Sequence, residues 1–422
     1  MNNDRGQSIA AKPDAPWRCP VTAASKFVTA TSSLCALLPF GAELRASHHE
    51  ARCNMQITAA VVPERCAPFV LDKLQLCDPR PDEVLVRVVA CGMCHTDLHG
   101  RDGYFPAMPY PAVFGHEGAG VVAAVGTTVH KVRPGDHVIM SFPWCGSCPN
   151  CLRHMPSHCL QSSKLKMSGT RLDGSTLMAK AGAPVYSAFF QQSSFATHAI
   201  AHERFVVKIR RDAPLDSVGP LACSIQTGAG AVLNAMQPST GDSLVVFGVG
   251  GVGLSGLMAA KLSGCQPIVA VDIHEHRLAL ARELGATHTI NHASCPDLVS
   301  EVRTITNGGA RFCLETSALP TVLQEAVEAL MPLGTCVLVG SARRGVHVSL
   351  EMPLLQNGRT VRGVIQGWSQ PETFLPRLVD LMMADALPVR RMMTFYDLSD
   401  INRAAADAIS GKTIKPVVRM PL

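Results

Sequence analysis

The chain has 422 residues, 47% of them hydrophobic, and a formal net charge of +5 at pH 7. That length exceeds what one hydrophobic core organises, about 250–300 residues, and points to two domains. The charge is small and no Lys/Arg run stands out, so nothing marks a nucleic-acid or membrane partner, and no run reaches the ~20 apolar residues of a membrane span. The 16 cysteines are many. Disulfide-rich secreted domains are usually much shorter. Several of these cysteines fall in Val- and Ile-rich stretches, where a reduced thiol packs as a small hydrophobe. A soluble, reducing, cytoplasmic setting is expected.

Residues 1–54 hold scattered Ala, Ser, Thr and Pro without sustained periodicity. "FVTATSSLCALLPFGA" (27–42) after Lys26 has the look of a signal h-region, and the scarcity of acids also suits a transit peptide. The plainer reading is a disordered extension or a mis-assigned start, with Met55 opening the fold. From there the texture is strand-like: "MQITAAVV", the turn "DPRPD", "DEVLVRVVACG", "AGVVAAVG", "GDHVIM" and "FATHAIAHERFVVKI". After residue 220 strands alternate with helices. "SLVVF", a glycine turn, a helix and "IVAVD" are followed by the amphipathic "HRLALARELGA", the strand "THTIN", then "ARFCLETS", "LPTVLQEAVEALM" and "GTCVLVG". That alternation implies a parallel, doubly wound sheet. The tail ends in a strand, "KPVVRM", expected to return to the first domain. The reading is α/β: a β-rich domain of 55–224 and 366–422, with a doubly wound domain of 225–365 inserted between its parts.

Three motifs carry chemistry. Cys145, Cys148, Cys151 and Cys159 follow C-x2-C-x2-C-x7-C. Four thiolates in one Pro- and Gly-containing loop can close a tetrahedral shell around zinc and leave no open position, so this site is structural. A disulfide pair and an iron–sulfur site are the competing readings. In "GHEGAGVVAAVGTTV" (115–129), His116 and Glu117 gain force from Cys94 upstream and Cys223 downstream. Two thiolates and an imidazole make a zinc set with a fourth position free for water or substrate. In "CGMCHTDLHG" (91–100) the ligand is then Cys94, and Cys91 packs in a strand. Gly248, Gly250, Gly251 and Gly253 follow "SLVVF" and open a helix, the context in which glycines let a pyrophosphate approach a helix N-terminus. Asp272 ends the next strand, where a carboxylate binds ribose hydroxyls and repels a 2′-phosphate, favouring NAD over NADP. A glycine-rich turn with a solvent aspartate is the alternative.

Together these residues resemble the zinc-containing medium-chain alcohol dehydrogenases, from about Met55 to Leu422. Within that family "GPLACSIQTGAGAVLN", "SSFATHAI" and "SGKTIKPVVRM" look most like aryl-alcohol (benzyl alcohol) dehydrogenases. The resemblance implies a GroES-like catalytic domain, a Rossmann domain, two zinc ions per chain and NAD. It implies that Cys94, His116 and Cys223 bind catalytic zinc, that Thr96 takes the substrate proton and His99 passes it to solvent. Asp97 would hydrogen-bond the ring of His116, and Glu117 would sit close behind the metal. His95 and Lys415 would lie by the cofactor phosphates. One departure concerns Cys223: many relatives flank this ligand with glycines, whereas here Ala222 and Ser224 do, which bears on pocket shape more than on metal binding.

The implied reaction is reversible oxidation of a primary aromatic or allylic alcohol to its aldehyde, by a homo-oligomer (dimer or tetramer) with no nucleic-acid or membrane partner. A neighbouring alternative is an S-(hydroxymethyl)glutathione or aliphatic alcohol dehydrogenase. One of a different class is an NAD-binding protein without turnover, against which the intact set Cys94, Thr96, His99, His116 and Cys223 argues.

Overall fold

The computed structural model describes residues 53–421. The expectation for 1–54 therefore falls almost wholly outside the described residues, and the first described strand opens at Met55.

Two mostly antiparallel sheets build the β-rich part. One has five strands, in the order Ala112–Val113, Met55–Val62, Val70–Leu76, Met178–Lys180, Ala183–Val185. The other has seven: Val206–Lys208, His137–Met140, Gly118–Val125, Glu83–Gly92, Lys415–Arg419 and Met393–Asp397, with His198–His202 also on Glu83–Gly92. Glu83–Gly92 pairs with three strands, and its run of Val, Leu, Ala and Cys is that of a strand buried on most sides. The tail pairs with this strand: Val417, Val418 and Arg419 sit opposite Gly92, Cys91 and Ala90. Cys91 is fully buried in its strand.

The third sheet has six strands. Numbered by their own chain order, they lie 3-2-1-4-5-6: His288–Asn291, Ile268–Asp272, Leu244–Phe247, Ala310–Glu315, Leu330–Leu338, Thr360–Gly363. Every pairing is parallel. The order reverses between Leu244–Phe247 and Ala310–Glu315, the switch point at which doubly wound sheets take their ligands. Alternate residues feed opposite faces. Leu244, Val246, Ala270 and Leu314 pack with Leu254 and Leu257 of the helix Gly251–Leu262. Val245, Phe247, Val269, Val271 and Cys313 pack with Val302 and Val322 on the other side. The first of these clusters runs on through Leu221 and Ile225 to Ile139 and Ala119, so one core joins the parallel sheet to the β-rich part.

The expectation of a reducing setting meets a contrary feature among the described residues. Cys53 and Cys77 form a disulfide between the segment before the first strand and the end of Val70–Leu76. Pairing requires only that antiparallel register bring the two positions together, which no local motif announces.

Candidate active site

Cys94 caps the short helix His95–Arg101. Asp97, three residues on, accepts a hydrogen bond from the Cys94 backbone N–H (2.9 Å) through Oδ2, the reciprocal arrangement that fixes a helix start. Its Oδ1 accepts from the Gly115 N–H (3.0 Å) and lies 2.8 Å from Nδ1 of His116. Asp97 is fully buried. One carboxylate thus ties the Cys94 turn to the His116 loop and holds Nδ1 as the protonated nitrogen. Nε2 is turned away from that carboxylate and is buried without a hydrogen-bond partner. A buried imidazole nitrogen in that state, with a carboxylate behind it, is what a metal ligand requires.

Cys223 arrives from the other side, at the N-cap of the helix Ser224–Gly230. Ligand atoms of Cys94, His116, Glu117 and Cys223 all lie within 4.8 Å of one another. Of the two thiols, Cys94 is pulled down in pKa by the Cys223 and His116 side chains against the opposing effect of burial, and Cys223 is pushed up. Two sulfurs, one bare imidazole nitrogen and a carboxylate close behind can hold a tetrahedral zinc with one position open.

Lys415 corrects one expectation. Its ammonium is buried and lies 2.7 Å from Oε1 and 2.5 Å from Oε2 of Glu117, and 3.1 Å from the Met93 carbonyl. It is committed to the carboxylate behind the metal set rather than offered to a phosphate. Burial raises the Glu117 pKa and the lysine opposes it. The Ser224 N–H, at 3.2 Å, adds a further donor to Glu117, so the serine that replaces a glycine beside Cys223 keeps a backbone role. Gln192 was not singled out in the sequence. Fully buried, it donates to the carbonyls of His116, Met140 and Ser141 and accepts from Gly118 N–H and Ser194 Oγ, and so holds the His116 loop.

Thr96 Oγ1 is 3.7 Å from Cys94 Sγ. His99, one helical turn further, stacks on Tyr104 with ring centroids 4.6 Å apart. Burial holds its pKa below the ordinary imidazole value, which keeps it in the base form at neutral pH. His95 is exposed at the first helical position. An aromatic wall adjoins the metal set. Phe190 stacks on His116 at 4.4 Å, and Phe189 meets the same ring edge-on at 5.7 Å.

The second cysteine set is separate. Sγ atoms of Cys145, Cys148, Cys151 and Cys159 all lie within 4.8 Å. Cys145–Cys151 and Cys148–Cys151 are 3.9 and 3.5 Å apart, close to the about 3.8 Å edge of a tetrahedron with Zn–S bonds of ~2.3 Å. Backbone N–H groups of Cys145, Cys148, Leu160 and Gln161 point at these sulfurs. The Arg204 guanidinium donates to the Cys145 carbonyl at 2.7 Å. Backbone donors pull the Cys145 and Cys148 thiols down in pKa, whereas burial pushes Cys151 and Cys159 up; the spacing of the four sulfurs fits a zinc ion.

At the switch point, an added Cβ on Gly250 would meet nothing within 4 Å, whereas one on Gly253 would lie 1.9 Å from the Gly248 carbonyl. The first glycine leaves open room for a ligand and the second permits the helix to close on the strand. Asp272 Oδ2 accepts from the Val249 N–H at 2.9 Å, and Oδ1 from Ile273 and His274. Its carboxylate is thereby locked against the glycine turn. Arg277, on the next helix, comes within 3.9 Å of it; the sequence shows no arginine adjacent to Asp272, and helical return brings this one near.

One open metal-competent set, one closed four-cysteine set and a dinucleotide-type glycine turn define the class of zinc-dependent oxidoreductases, and family comparison agrees. Residues 80–211 match the alcohol dehydrogenase GroES-like domain and residues 251–383 match the zinc-binding dehydrogenase domain. The chain belongs to the zinc-containing medium-chain alcohol dehydrogenases. It is 42% identical over 362 residues to a geraniol dehydrogenase of Castellaniella defragrans, covering 85% of this chain and 96% of that one. Among solved structures it is similar to an alcohol dehydrogenase zinc-binding domain protein from Burkholderia ambifaria (TM-score 0.85, 46% identity, 87% of this chain and 100% of that one). It is also similar to the benzyl alcohol dehydrogenase of Acinetobacter calcoaceticus (TM-score 0.84, 42% identity, the same coverage). Among the described residues no helix is long and apolar enough to cross a membrane.

Proposed function

We propose that the protein is an NAD-dependent dehydrogenase with two zinc ions per chain that interconverts primary aromatic or allylic alcohols and their aldehydes. The observation that carries this reading is the aromatic wall at the catalytic set, Phe190 and Phe189 against His116. A flat, unsaturated tail fits such a wall better than a short alkyl chain does. Relatives that act on geraniol and benzyl alcohol agree with it.

Cys94, His116 and Cys223 hold one zinc, and Cys145, Cys148, Cys151 and Cys159 the other. Zinc in the first set supplies a Lewis acid that makes an alcohol proton acidic near neutral pH. Thr96 Oγ1 receives that proton, and His99 takes it on to solvent. Asp97 keeps His116 in the tautomer that offers Nε2. Glu117, backed by Lys415, supplies negative charge behind the set. The turn Gly248–Gly253 admits the pyrophosphate, Asp272 binds the ribose hydroxyls, and His95 sits exposed beside the phosphates. Alignment of alcohol and nicotinamide in one cleft contributes about 7–11 kcal/mol of the barrier reduction. In this reading 55–224 with 366–422 form the catalytic domain and 225–365 the NAD domain, and the enzyme works in the cytoplasm as a dimer or tetramer.

The test is a panel of benzyl alcohol, geraniol, ethanol and S-(hydroxymethyl)glutathione with NAD and NADP, read as kcat/KM. Benzyl alcohol and geraniol should exceed ethanol at least roughly tenfold, the worth of a few methylenes in an apolar pocket. Preference for the glutathione adduct would replace this reading with the neighbouring one. Equal use of NADP would remove the ribose role of Asp272.

A further inference from the structure

Lys166 lies on the short helix Ser162–Met167, which leaves the four-cysteine lobe. Only 7% of it is exposed. Among the described residues its ammonium has neither a hydrogen bond nor an ion pair; its contacts are the ring faces of Phe142 and Phe190, at 5.6 and 5.5 Å from the centroids. Phe190 is the ring stacked on His116. The cation is therefore one aromatic layer from the catalytic set, and the Cys223 thiol acts on it electrostatically.

The other buried cations nearby are differently placed. Lys415 has Glu117 and a carbonyl. Arg171 is bidentate on Glu83 at 2.7 and 2.8 Å. A buried charge without such a partner is costly, and ring faces offset only part of that cost. Burial lowers the Lys166 pKa to about 8, so the charge survives at neutral pH. Three donor hydrogens thus stand in an apolar, aromatic wall with no acceptor supplied by the chain.

We infer that Lys166 is the distal anchor of the alcohol pocket, its ammonium donating a hydrogen bond to an acceptor oxygen on the substrate's ring or chain, remote from the carbinol. The inference rests on the alcohol dehydrogenase reading above and narrows it. The ligands it selects are oxygenated aryl or allylic alcohols, with a methoxyl, hydroxyl or carboxylate at the far end. Saturated tails leave the donors unmet, and cationic tails are repelled.

Three para-substituted benzyl alcohols separate the possibilities: carboxy, methoxy and ethyl, the last replacing the ether oxygen by a methylene. In the parent, kcat/KM should favour methoxy or carboxy over ethyl by roughly 10- to 100-fold, the worth of a hydrogen bond to a charged group. Carboxy above methoxy identifies an anionic tail, and the reverse a neutral one. Lys166→Met should collapse the ratio toward unity, and Lys166→Arg should restore part of it. The same ratios should appear in the Kd of the corresponding benzaldehydes, measured by calorimetry on the zinc-loaded protein, which needs no turnover. Circular dichroism melting checks that Lys166→Met folds. Equal Kd values for all three tails in the parent, or a Lys166→Met protein that keeps the parental ratio, would overturn the inference even if benzyl alcohol is turned over. Absence of benzyl alcohol turnover with the binding ratios intact would instead remove the proposed reaction and keep the anchor.

Discussion

The two cysteine sets solve the same problem, bringing soft ligands together, in opposite ways. Cys145 to Cys159 come from one loop, and the loop's own N–H groups point at the sulfurs. Cys94, His116 and Cys223 come from separate elements, and the parts that hold them are distant: Asp97 for one join, Gln192 for another, the Lys415–Glu117 pair for a third. In the proposed reading the closed set satisfies itself and stabilises a lobe. The assembled set leaves Nε2 of His116 without a partner, and in the proposed reading that incompleteness is where the chemistry takes place. A ligand set written in one stretch of sequence suits structure, and one drawn from three suits catalysis, because only the second can be opened toward a cleft.

That contrast can be broken in a graded way. Cys94→Ala should lower benzyl alcohol turnover by about three orders of magnitude or more, since Lewis-acid assistance is worth several kcal/mol. Metal analysis should fall from two zinc ions to one, with the melting temperature little changed. Cys148→Ala should also leave one zinc but act on the fold instead, lowering the melting temperature by several degrees. If both variants lost activity and stability alike, the division into catalytic and structural sets would be wrong.

Within the assembled set, Thr96→Val keeps the volume and removes the hydroxyl, and turnover should drop by orders of magnitude. His99→Gln should cost less, at most about 10²–10⁴-fold, the range of general base catalysis. For alcohol oxidation the base form of His99 is the active one. Its pKa lies below the ordinary value, so the parental rate should hold down to a more acidic pH than a free imidazole would allow, and fall below it. The variant should lose that limb and recover part of its rate with added imidazole. A parental pH profile in His99→Gln would send the proton by another route.

The smallest effect belongs to a positioning residue. Gln192→Leu removes the bonds that hold the His116 loop to Met140 and Ser141, and leaves their buried carbonyls with one donor fewer. It should destabilise the protein by about 1–3 kcal/mol and weaken zinc retention at the catalytic set alone, read by competition with a chelator. Equal zinc loss from both sets would mean that Gln192 serves general stability.

Sequence patterns conveyed the parts whose logic is local. The four-cysteine spacing, the glycine turn after a buried strand, and the alternation of strands and helices each confine their physics to a short window. The helix Glu275–Leu284 and the strand Leu244–Phe247 fall where periodicity placed them. What escaped was set by distant partners. Lys415 reads as a free cation near a phosphate until its carboxylate, 298 residues earlier, is seen. Gln192, Lys166 and the Cys53–Cys77 pair have no motif at all, because their meaning comes from what the fold puts beside them. Asp97 and Glu117 were legible only through the family resemblance, because their partners lie far off in the chain or in space.

The strand Lys415–Arg419 lies between Glu83–Gly92 and Met393–Asp397, and it delivers the lysine that meets Glu117. A ribosome makes this strand long after all the catalytic zinc ligands. Until it arrives, a carboxylate beside the nascent thiols lacks its counter-charge and a sheet edge stands open. In order of synthesis, the thiols and the imidazole thus come before the cation that balances the charge beside them.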